Sequence, residues 1–413
     1  MMTSPTSHLS SPVPGPQSPV PGPQSPIRIL MLAPTPYFAD RGCHVRIYEE
    51  ARALIDLGCQ VQIVTYHIGR DMPGIPTARI PRIPWYRRLT AGPSWQKPLL
   101  DLLLFFKALS VAHSCHPQII HAHLHEGAFI GILLKALLRI PLIMDFQGSL
   151  TVECRDHGFL RQGSLLDRVF GTIERHINNR VDAFITSSSA GAELLVQQWQ
   201  VPSQRVTAVI DGVDISHFHP HSRSGARQML NLPDGVPLVV YLGVLNSYQG
   251  MNLLLSSMQI LMKKECSVHF LLMGYPEEQY RQKAEEMGMA HCVTFTGKVD
   301  YAEAARFLSA GNVAVSPKLS LTEANGKLFN YMACGLPTVV FDTPVNREIL
   351  GEAGVYAAYG DAEDFAAKIE ALLTDPVRRA DLSRVGVEKA KNEHSWRSRG
   401  GMITEIYRDL LQP

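Results

Sequence analysis

The segment from Glu323 to Gly335 has residue types and a spacing suited to binding an anion. It places polar residues and a glycine ahead of an apolar helical stripe: Glu323, Asn325, Gly326 and Lys327, then Leu328, Phe329 and Met332. The glycine marks the start of a predicted helix, and the positive end of a helix favours a phosphate group. The segment therefore predicts a site for a phosphorylated ligand, although a helix cap with solvated charges would have the same pattern.

A second group of small and polar residues lies in loops of the C-terminal half. The run from Tyr241 to Gly250 joins a strand to a helix through Gly243, and such a loop presents unpaired N–H groups to an anion. Gly274 and Lys298 follow the next two predicted strands. Ligands of open parallel sheets bind beyond the carboxyl ends of the strands, so we expect these loops to share one site.

Three histidines alternate in the N-terminal half, at His121, His123 and His125. If the strand that begins near residue 118 extends this far, the imidazoles share one face and could ligate zinc. No second cluster in the sequence completes a metallohydrolase site, so we expect no metal. The histidines, with Glu126 beside them, are expected either to line a cleft as hydrogen-bond donors or to be ordinary strand-end residues.

Two further loops of the N-terminal half carry polar residues beyond strand ends. Gly42 opens a predicted helix close to His44 and would let a phosphate or sugar approach the backbone N–H groups. A plain tight turn explains this glycine equally well. Gln147 follows the strand at 142–146 and could position a substrate, but an amide cannot act as a general base.

Two series of alternating strands and helices must position these loops. Strands are predicted at 27–33, 61–66, 118–123, 142–146 and 183–187, then at 238–242, 269–273, 293–295, 313–316 and 337–341, with early helices at 45–57 and 130–138. This alternation is typical of βαβ units in parallel sheets, so the fold class is α/β. We expect Rossmann-like domains at 27–215 and 222–395, a linker at 216–237, and a last helix within 396–413 that crosses back onto the first domain.

Length and composition limit the possible functions. The 413 residues suffice for two domains, and 39 basic against 38 acidic residues exclude a general affinity for nucleic acid. Seven scattered cysteines without metal-ligand spacing indicate a reducing, cytoplasmic setting. Residues 1–26 hold eight of the 28 prolines and repeat the motif Ser-Pro-Val-Pro-Gly-Pro-Gln, which predicts a disordered leader rather than an export signal.

The segment 85–109 raises the question of membrane contact, because it combines basic, aromatic and apolar residues. No stretch reaches the roughly 18 unbroken apolar residues of a spanning helix. An interfacial helix should have a strongly polar face, but only Asp101 and Lys107 interrupt the run at 99–109. A helix buried in a Rossmann-like domain is therefore favoured, with peripheral contact to the inner face of a membrane as the alternative.

Together these motifs resemble glycosyltransferase family 4, whose members have the GT-B fold of two Rossmann-like domains that face a central cleft. The resemblance covers residues 27 to 400 and rests on motifs in the family's order: the Gly42 loop, His121-Ala122-His123, Val213-Asp214, Phe218, Gly243, Gly250, Phe295-Thr296-Gly297, Glu323 to Pro337, and Ser395-Trp396. It implies transfer of a sugar from a nucleotide-sugar donor to a glycan, lipid-linked or small-molecule acceptor, with retention of anomeric configuration and without a metal or other cofactor.

The sequence departs from the family pattern at positions that bear on mechanism. Val244 and Gln249 stand where the family has an arginine and a lysine that bind the diphosphate. Gln147 replaces the histidine of the family's histidine-glycine pair, and Asp211 replaces the asparagine of its linker motif. Asn330 stands where the family has a second glutamate. Two cations opposite a diphosphate are thus missing. A hypothesis is that Lys327 replaces them, with Lys318 and Arg347 behind it.

The resemblance implies a role for each candidate residue. The catalytic group is expected to comprise Glu323, Gln147 and His123. Donor-binding residues are expected to be Gly243, Gln249, Gly250, Gly274, Lys298, Asn325, Gly326, Lys327, Leu328 and Asn330, and acceptor-side residues Gly42, His44, His125 and Glu126. Retention without a metal implies front-face attack, in which the departing phosphate takes the acceptor proton. A non-catalytic protein that binds nucleotide sugars and a nucleotide-sugar epimerase are the alternatives.

Overall fold

The computed structural model describes residues 26–40, 42–87, 94–156, 158–233, 235–321 and 323–412. They form two parallel β-sheets, each covered by helices. The predicted α/β class with two Rossmann-like domains is confirmed. The predicted disordered leader lies outside the described residues, apart from Pro26.

The first domain is built on a seven-stranded sheet. Its elements are β1 (Arg28–Ala33), α1 (Gly42–Asp56), β2 (Gln60–Thr65), β3 (Thr77–Arg79), α2 (Lys97–Cys115), β4 (Ile119–His123), α3 (Leu124–Leu138), β5 (Leu142–Phe146), α4 (Leu150–Asp156), α5 (Leu165–Arg180), β6 (Ala183–Thr186), α6 (Ser189–Gln197) and β7 (Val206–Ala208). The strand order is β3-β2-β1-β4-β5-β6-β7. Strand β1 is central because its side chains are apolar on both faces, as a parallel strand between two helical layers requires.

Helices α2, α3 and α5 cover one face of this sheet, and α1 covers the other. Leu104, Leu134 and Ile177 represent the core under the first layer, and Ile47 and Leu54 the core under the second. The strand order reverses between β1 and β4. Loops after these two strands therefore flank a crevice at the carboxyl edge of the sheet.

The second domain repeats this design after a connecting helix, α7 (Arg223–Met229). Its elements are β8 (Leu238–Leu242), α8 (Met251–Lys263), β9 (His269–Met273), α9 (Glu278–Glu286), β10 (Val293–Gly297), α10 (Ala304–Leu308), β11 (Val313–Ser316), α11 (Lys327–Ala333), β12 (Thr338–Phe341), α12 (Pro344–Leu350), β13 (Gly354–Ala357), α13 (Ala362–Thr374) and α14 (Pro376–Glu393). The strand order β10-β9-β8-β11-β12-β13 reverses between β8 and β11. The loops at 243–250 and 317–326 therefore flank the second crevice.

The end of the chain returns to the first domain. The N–H of Val213 donates to the carbonyl oxygen of His394 at 2.8 Å, so the two crossings between the domains lie side by side. Helix α15 (Trp396–Leu411) then packs against α1 and buries Ile403 and Tyr407 completely.

The predicted bounds of some helices and strands differ from those in the structure. Helices α1 and α3 begin three and six residues before their predicted starts, at Gly42 and Leu124. The short edge strands β3, β7 and β13 were not predicted, because three or four residues carry no measurable periodicity. The predicted linker at 216–237 contains helix α7.

Helix α2 is buried on one side only. It packs on the sheet through Leu100, Leu104, Ala108 and Ala112. Its opposite side exposes Leu99, Leu102 and Phe106 by 48, 53 and 57%. By length and composition this one helix of the described chain could cross a membrane, but its inner side belongs to the domain core. The prediction of a buried helix is therefore wrong for the outer side.

Candidate active site

The glycine loop after β8 meets the start of α11 in the crevice of the second domain. A Cβ atom at Gly243, where φ is +147°, would lie 3.0 Å from Nζ of Lys327. A Cβ atom at Gly274 would lie 1.7 Å from the carbonyl oxygen of Gly243, so the loops after β8 and β9 need glycine to pack this closely. The structure thus brings together residues from three separate segments of the sequence.

Gly250 allows the two loops that flank the crevice to pack closely. It has a φ of +77°, and a Cβ atom there would lie 1.9 Å from the carbonyl oxygen of Pro317. Glycine is required for this conformation and for the close approach of the loops after β8 and β11. Its structural role is therefore the packing of the two loops that flank the crevice.

The amine of Lys327 lies between these loops. Its Nζ donates a hydrogen bond to Oε1 of Gln249 at 2.8 Å and lies 4.6 Å from the ring centroid of Tyr241. Burial, together with the nearby charge of Lys318, lowers the pKa of Lys327 to about 7, while Glu323 acts in the opposite direction. An anionic ligand would restore the charge of this amine, so the position suits a phosphate.

Glu323 is held at the wall of the same crevice. Its Oε2 accepts from the hydroxyl of Tyr248 at 2.7 Å and lies 2.9 Å from Nζ of Lys318. Arg347, the third candidate cation, instead pairs with Asp342 at the surface. The positive charge of the crevice therefore comes from Lys318, which precedes Glu323 in the sequence, and from Lys327, which follows it.

Two predicted donor-binding side chains lie inside the domain. The amide of Asn325 bonds with the hydroxyl of Ser316 and donates to Oδ1 of Asn346 at 3.0 Å, and Asn325 is 3% exposed. Leu328 is fully buried in the core beneath α11. The amide of Asn325 holds the loop and the side chain of Leu328 anchors the helix, and the roles of these two residues in donor binding stay predictions.

Gly326 and Asn330 remain at the crevice. A Cβ atom at Gly326 would lie 3.3 Å from Oδ2 of Asp211. Asp211 belongs to the connection between the domains, so this connection passes close to the start of α11. Asn330 is half-buried and lies on α11 three residues after Lys327. Their roles in donor binding stay predictions.

A buried network of charges lies below the cleft, where α1, β5 and the connection between the domains meet. The guanidinium of Arg46 donates to Asp145 at 2.9 Å and to Asp211 at 2.5 Å, and lies 3.0 Å from Glu50. Burial alone would raise the pKa of Asp145, but Arg46 and then His123 hold it well below its usual range. Burial raises the pKa of Glu50 well above its usual value, while the charge of Arg46 acts in the opposite direction.

His123 and Gln147 meet at Asp145. Nδ1 of His123 lies 3.0 Å from Oδ2 of Asp145, and Nε2 of Gln147 donates to the same oxygen at 2.7 Å. His123 is completely buried, whereas Gln147 is half-buried. The expectation that His123 lines the cleft is therefore wrong, and Gln147 is the member of the pair that a ligand can reach.

The predicted face of three histidines is not formed, because β4 ends at His123. Leu124 has a φ of +63° and starts α3, which turns His125 away to lie 3.4 Å from Oε1 of Glu174. His125 is only 4% exposed, so the structure also contradicts its predicted contact with an acceptor. Glu126 stays on the acceptor side, where it pairs with Lys97 at 2.6 Å.

A different trio of possible metal ligands is formed instead. Ligand atoms of Glu50, His121 and His123 lie within 4.8 Å of one another. Nδ1 of His121 also lies 2.5 Å from the hydroxyl of Tyr407, which ties this group to α15. The cation that faces Glu50 is Arg46, at 3.0 Å. The prediction of a site without metal stays a prediction.

The side chain of His44 forms its hydrogen bonds within the loop after β1. Gly42 opens α1, and a Cβ atom there would meet nothing within 4 Å, so the space beside this residue is open. His44 is fully buried: Nδ1 accepts from the N–H of Ala39 at 2.8 Å, and Nε2 lies 2.5 Å from Oγ1 of Thr35. The structure contradicts the predicted acceptor contact of His44, because the imidazole holds the loop.

Lys298 belongs to an interdomain latch, which we define as Asp40, Arg70, Lys298 and Tyr301. Asp40 lies 2.8 Å from Nζ of Lys298, accepts from the N–H of Tyr301 at 3.0 Å, and pairs with Arg70 of its own domain at 2.6 Å. The predicted donor contact of Lys298 is replaced in this arrangement by an ion pair that joins the two domains.

Three functional candidates were missed in the sequence. Arg46 and Glu50 lie one helical turn apart on the buried side of α1, and two charges on a core-facing stripe could have indicated them. Glu153 lies on α4. Desolvation, together with the nearby charges of Glu126 and Glu323, raises its pKa to about 7, while Lys97 acts in the opposite direction. Carboxylates of both domains therefore face one another across the cleft.

Two family models match the chain, one for each domain. The model described as "Glycosyl transferase 4-like domain" matches residues 41–212, and the model described as "Glycosyl transferases group 1" matches residues 236–375. The first range contains every strand of the first sheet except β1, and the second range contains the whole second sheet.

The chain is also similar to two named transferases over most of its length. It is 26% identical over 396 residues to D-inositol 3-phosphate glycosyltransferase of Thermobispora bispora, covering 90% of each chain. It is 26% identical over 378 residues to sulfoquinovosyl transferase of Arabidopsis thaliana, covering 89% of this chain and 71% of that protein.

Solved structures share the whole fold. Sucrose-phosphate synthase from Thermosynechococcus elongatus has a TM-score of 0.79 and 21% identity, and the match covers 93% of this chain and 99% of that chain. HepE of Anabaena in complex with UDP-glucose has a TM-score of 0.75 and 17% identity, covering 93% and 100%. These similarities confirm the arrangement of the two domains.

Proposed function

Because the chain belongs to glycosyltransferase family 4 and has the GT-B fold, we propose that it transfers a sugar from a nucleotide-sugar donor to an acceptor hydroxyl with retention of anomeric configuration. Transfer from a nucleotide sugar follows from the family. The stereochemistry and the positions of donor and acceptor are our inference.

The position of Lys327 carries this proposal. Gln249 stands where the family has a diphosphate-binding lysine, and Lys327 places its Nζ 2.8 Å from the amide oxygen of Gln249. A cation is therefore restored at the same corner of the crevice, although it comes from a segment 78 residues further along the chain. This geometry supports an active transferase over a protein that only binds nucleotide sugars.

In the proposed reaction Lys327 and Lys318 stabilise the diphosphate as the bond to the sugar breaks. The acceptor hydroxyl attacks from the same face as the departing phosphate, and a phosphate oxygen takes the hydroxyl proton. Gln147, held by Asp145, positions the sugar, and Lys318 and Tyr248 orient the carboxylate of Glu323. The reaction then requires neither a protein base nor a metal.

The acceptor is proposed to enter from the first domain, beside Glu126 and Glu153. Lys97 partly neutralises these carboxylates. Hydroxyl groups of a sugar or polyol can donate hydrogen bonds to carboxylates at this side of the cleft. A cytoplasmic location fits the use of a nucleotide sugar and remains part of the proposal.

A panel of nucleotide sugars tests the proposal, with UDP-glucose first because the related HepE structure contains it. Nucleotide release that depends on an acceptor supports transfer, and the anomeric coupling constant of the product, measured by NMR, must show retention. Activity must persist in EDTA. An altered free nucleotide sugar would instead identify an epimerase, and binding without turnover would identify a non-catalytic protein.

A further inference from the structure

Two histidines and a glutamate meet in the core of the first domain, between β4 and α1. His121 and His123 lie on the same face of β4, and their rings stack with centroids 4.6 Å apart. Glu50 faces them from the buried side of α1. All three residues are 0% exposed, and we call them the buried trio. Imidazole and carboxylate groups are the ligands of many transition-metal sites, so the buried trio has the residue types of such a site.

The polar atoms that the buried trio directs toward one another form no hydrogen bonds. In the described part of the chain, no group bonds in this way to Nε2 of His121, to Nε2 of His123 or to either carboxylate oxygen of Glu50. Oε2 of Glu50 lies 3.5 Å from Nε2 of His121 and 4.0 Å from Nε2 of His123, and both distances are too long for a direct hydrogen bond. Because unpaired polar groups are costly in a protein interior, a ligand shared by all three would stabilise this arrangement.

The neighbouring guanidinium does not form hydrogen bonds with Glu50. Nε of Arg46 lies 3.0 Å from Oε1 of Glu50, but its hydrogen points to Asp145, to which it donates at 2.9 Å. Nη1 of Arg46 donates to the carbonyl oxygen of Val209 and to the carboxylate of Asp211. Three carboxylates therefore surround this one guanidinium, and Oε2 of Glu50 stays directed toward the two imidazoles.

The second ring nitrogen of each histidine is held by a polar partner. Nδ1 of His123 lies 3.0 Å from Oδ2 of Asp145. A carboxylate ion accepts hydrogen bonds and donates none, so the ring donates from Nδ1 and directs the lone pair of Nε2 into the buried trio. Nδ1 of His121 lies 2.5 Å from the hydroxyl of Tyr407 on α15. Metal-binding histidines are oriented in this way, with one nitrogen on the metal and the other on a carboxylate or another polar group.

The distances within the buried trio fit a metal ion better than a water molecule. Zinc binds imidazole nitrogen and carboxylate oxygen at about 2.0–2.2 Å, which places tetrahedral ligand atoms roughly 3.3–3.6 Å apart. A water molecule about 2.8 Å from each atom would hold these atoms roughly 4.6 Å apart. The 3.5 and 4.0 Å from Glu50 to the two imidazoles lie closer to the separations around zinc.

We propose that the buried trio binds one divalent transition-metal ion, with zinc the best fit to its ligands. Two imidazoles and one carboxylate suit zinc, whereas magnesium and calcium prefer oxygen ligands alone. The ion is structural, because it lies in the core and takes no part in the sugar transfer proposed above. It joins α1 to β4, and it supports Gln147 at the cleft through His123 and Asp145.

This proposal departs from the expectation of a chain without metal. That expectation rested on the histidines of β4, which have no second cluster of ligands near them in the sequence. The third ligand comes from α1, where Glu50 belongs to no metal-binding motif. Packing of α1 on the sheet brings it to the histidines.

Metal analysis of the full-length protein tests the proposal. The protein is produced without a metal-binding tag, dialysed in its folded state against EDTA, and analysed by inductively coupled plasma mass spectrometry. About one transition-metal ion per chain should remain, because the three ligands are 0% exposed and the chelator reaches the ion only after unfolding. Refolding from guanidinium chloride with Co²⁺ should give the visible absorption of a protein-bound cobalt ion.

Glu50→Gln removes the one charged ligand and should lower the metal content roughly tenfold or more. The matched control is Glu174→Gln, since Glu174 is also 0% exposed and its Oε1 lies 3.4 Å from Nε2 of His125. In the described ranges no third metal ligand accompanies this pair, so the control should keep one ion per chain. His121→Gln is a second variant that should lose the ion, and circular dichroism shows which variants fold.

The outcomes separate the buried trio from other sites. Metal content far below one ion per chain in the unaltered protein, both as purified and after refolding with zinc, overturns the proposal. An ion that EDTA removes from the folded protein also overturns it, because that ion lies at the surface. Metal content equal to that of the unaltered protein in folded Glu50→Gln places the ion elsewhere and has the same consequence. Sugar transfer is measured separately, so its absence would leave the metal result standing.

Discussion

At the residue scale, we propose that Lys327 supplies the positive charge that the family pattern places at Val244 and Gln249. Its amine lies against Gln249 and Tyr241, and burial lowers its pKa to about 7. Lys327→Met should weaken donor binding by about 2–3 kcal/mol, the value of a charge-assisted contact, and reduce turnover as well. Calorimetry with UDP-glucose and steady-state kinetics measure the two effects.

The matched control is Lys264→Met, which removes a half-exposed lysine that pairs with Glu370 on the surface of the same domain. It should leave both quantities unchanged. Equal donor affinity and turnover in Lys327→Met and the unaltered protein would contradict the proposed role of Lys327.

The pH dependence of donor binding follows from the lowered pKa of Lys327. The protonated amine binds the diphosphate, so affinity is greatest below about pH 7 and falls as the pH rises through the pKa of the free protein. The decrease ends at the higher pKa of the complex. Lys327→Arg should remove this dependence between pH 6 and 9, because a guanidinium keeps its charge. If the dissociation constant of the unaltered protein did not change with pH, the amine of Lys327 could not be neutral in the free protein above pH 7.

At the scale of elements, the contact between α15 and α1 depends on one of two adjacent glycines. A Cβ atom at Gly400 would lie 2.9 Å from Cβ of Ala53, whereas one at Gly401 would meet nothing within 4 Å. Gly400→Ala should lower the free energy of unfolding by about 1–3 kcal/mol through overpacking. Gly401→Ala should raise it by up to about 1 kcal/mol through helix propensity. Thermal unfolding compares the pair, and equal midpoints would show that α15 does not pack here.

At the scale of the whole molecule, the interdomain latch joins the two domains through one shared carboxylate, that of Asp40. Asp40 joins Arg70 of its own domain to Lys298 and Tyr301 of the other. Asp40→Ala should favour the open state by about 1–3 kcal/mol, because it removes these bonds and leaves two cations without their shared partner. Small-angle scattering should show a larger radius of gyration, and the KM for the donor should rise.

Asp381→Ala is the control for this change, since Asp381 pairs with Arg384 on the exposed surface of α14. It should alter neither the radius nor the KM. An unchanged radius in Asp40→Ala would mean that other contacts, such as the bond from Tyr301 to Glu49 at 2.8 Å, hold the domains together.

The sequence alone predicted the two parallel sheets and most of their strands, because each central strand is a short apolar run followed by a glycine or polar loop. Strands β5, β8, β9 and β11 begin and end at the predicted residues. It also indicated the two segments that flank the second crevice. These features are local, and the reversal of strand order brings such loops together in this fold class.

Only the tertiary structure decided which polar residues face the cleft. His44, His125 and Asn325 have residue types suited to a ligand, yet each is buried and holds a loop or a carboxylate. The pairing of Lys327 with Gln249 depends on two loops that meet through the sheet. The exposed side of α2 is equally invisible in the sequence, because an apolar helix does not show which of its sides the sheet will cover. Local pattern specifies the elements, whereas burial and contact depend on packing between residues distant in the chain.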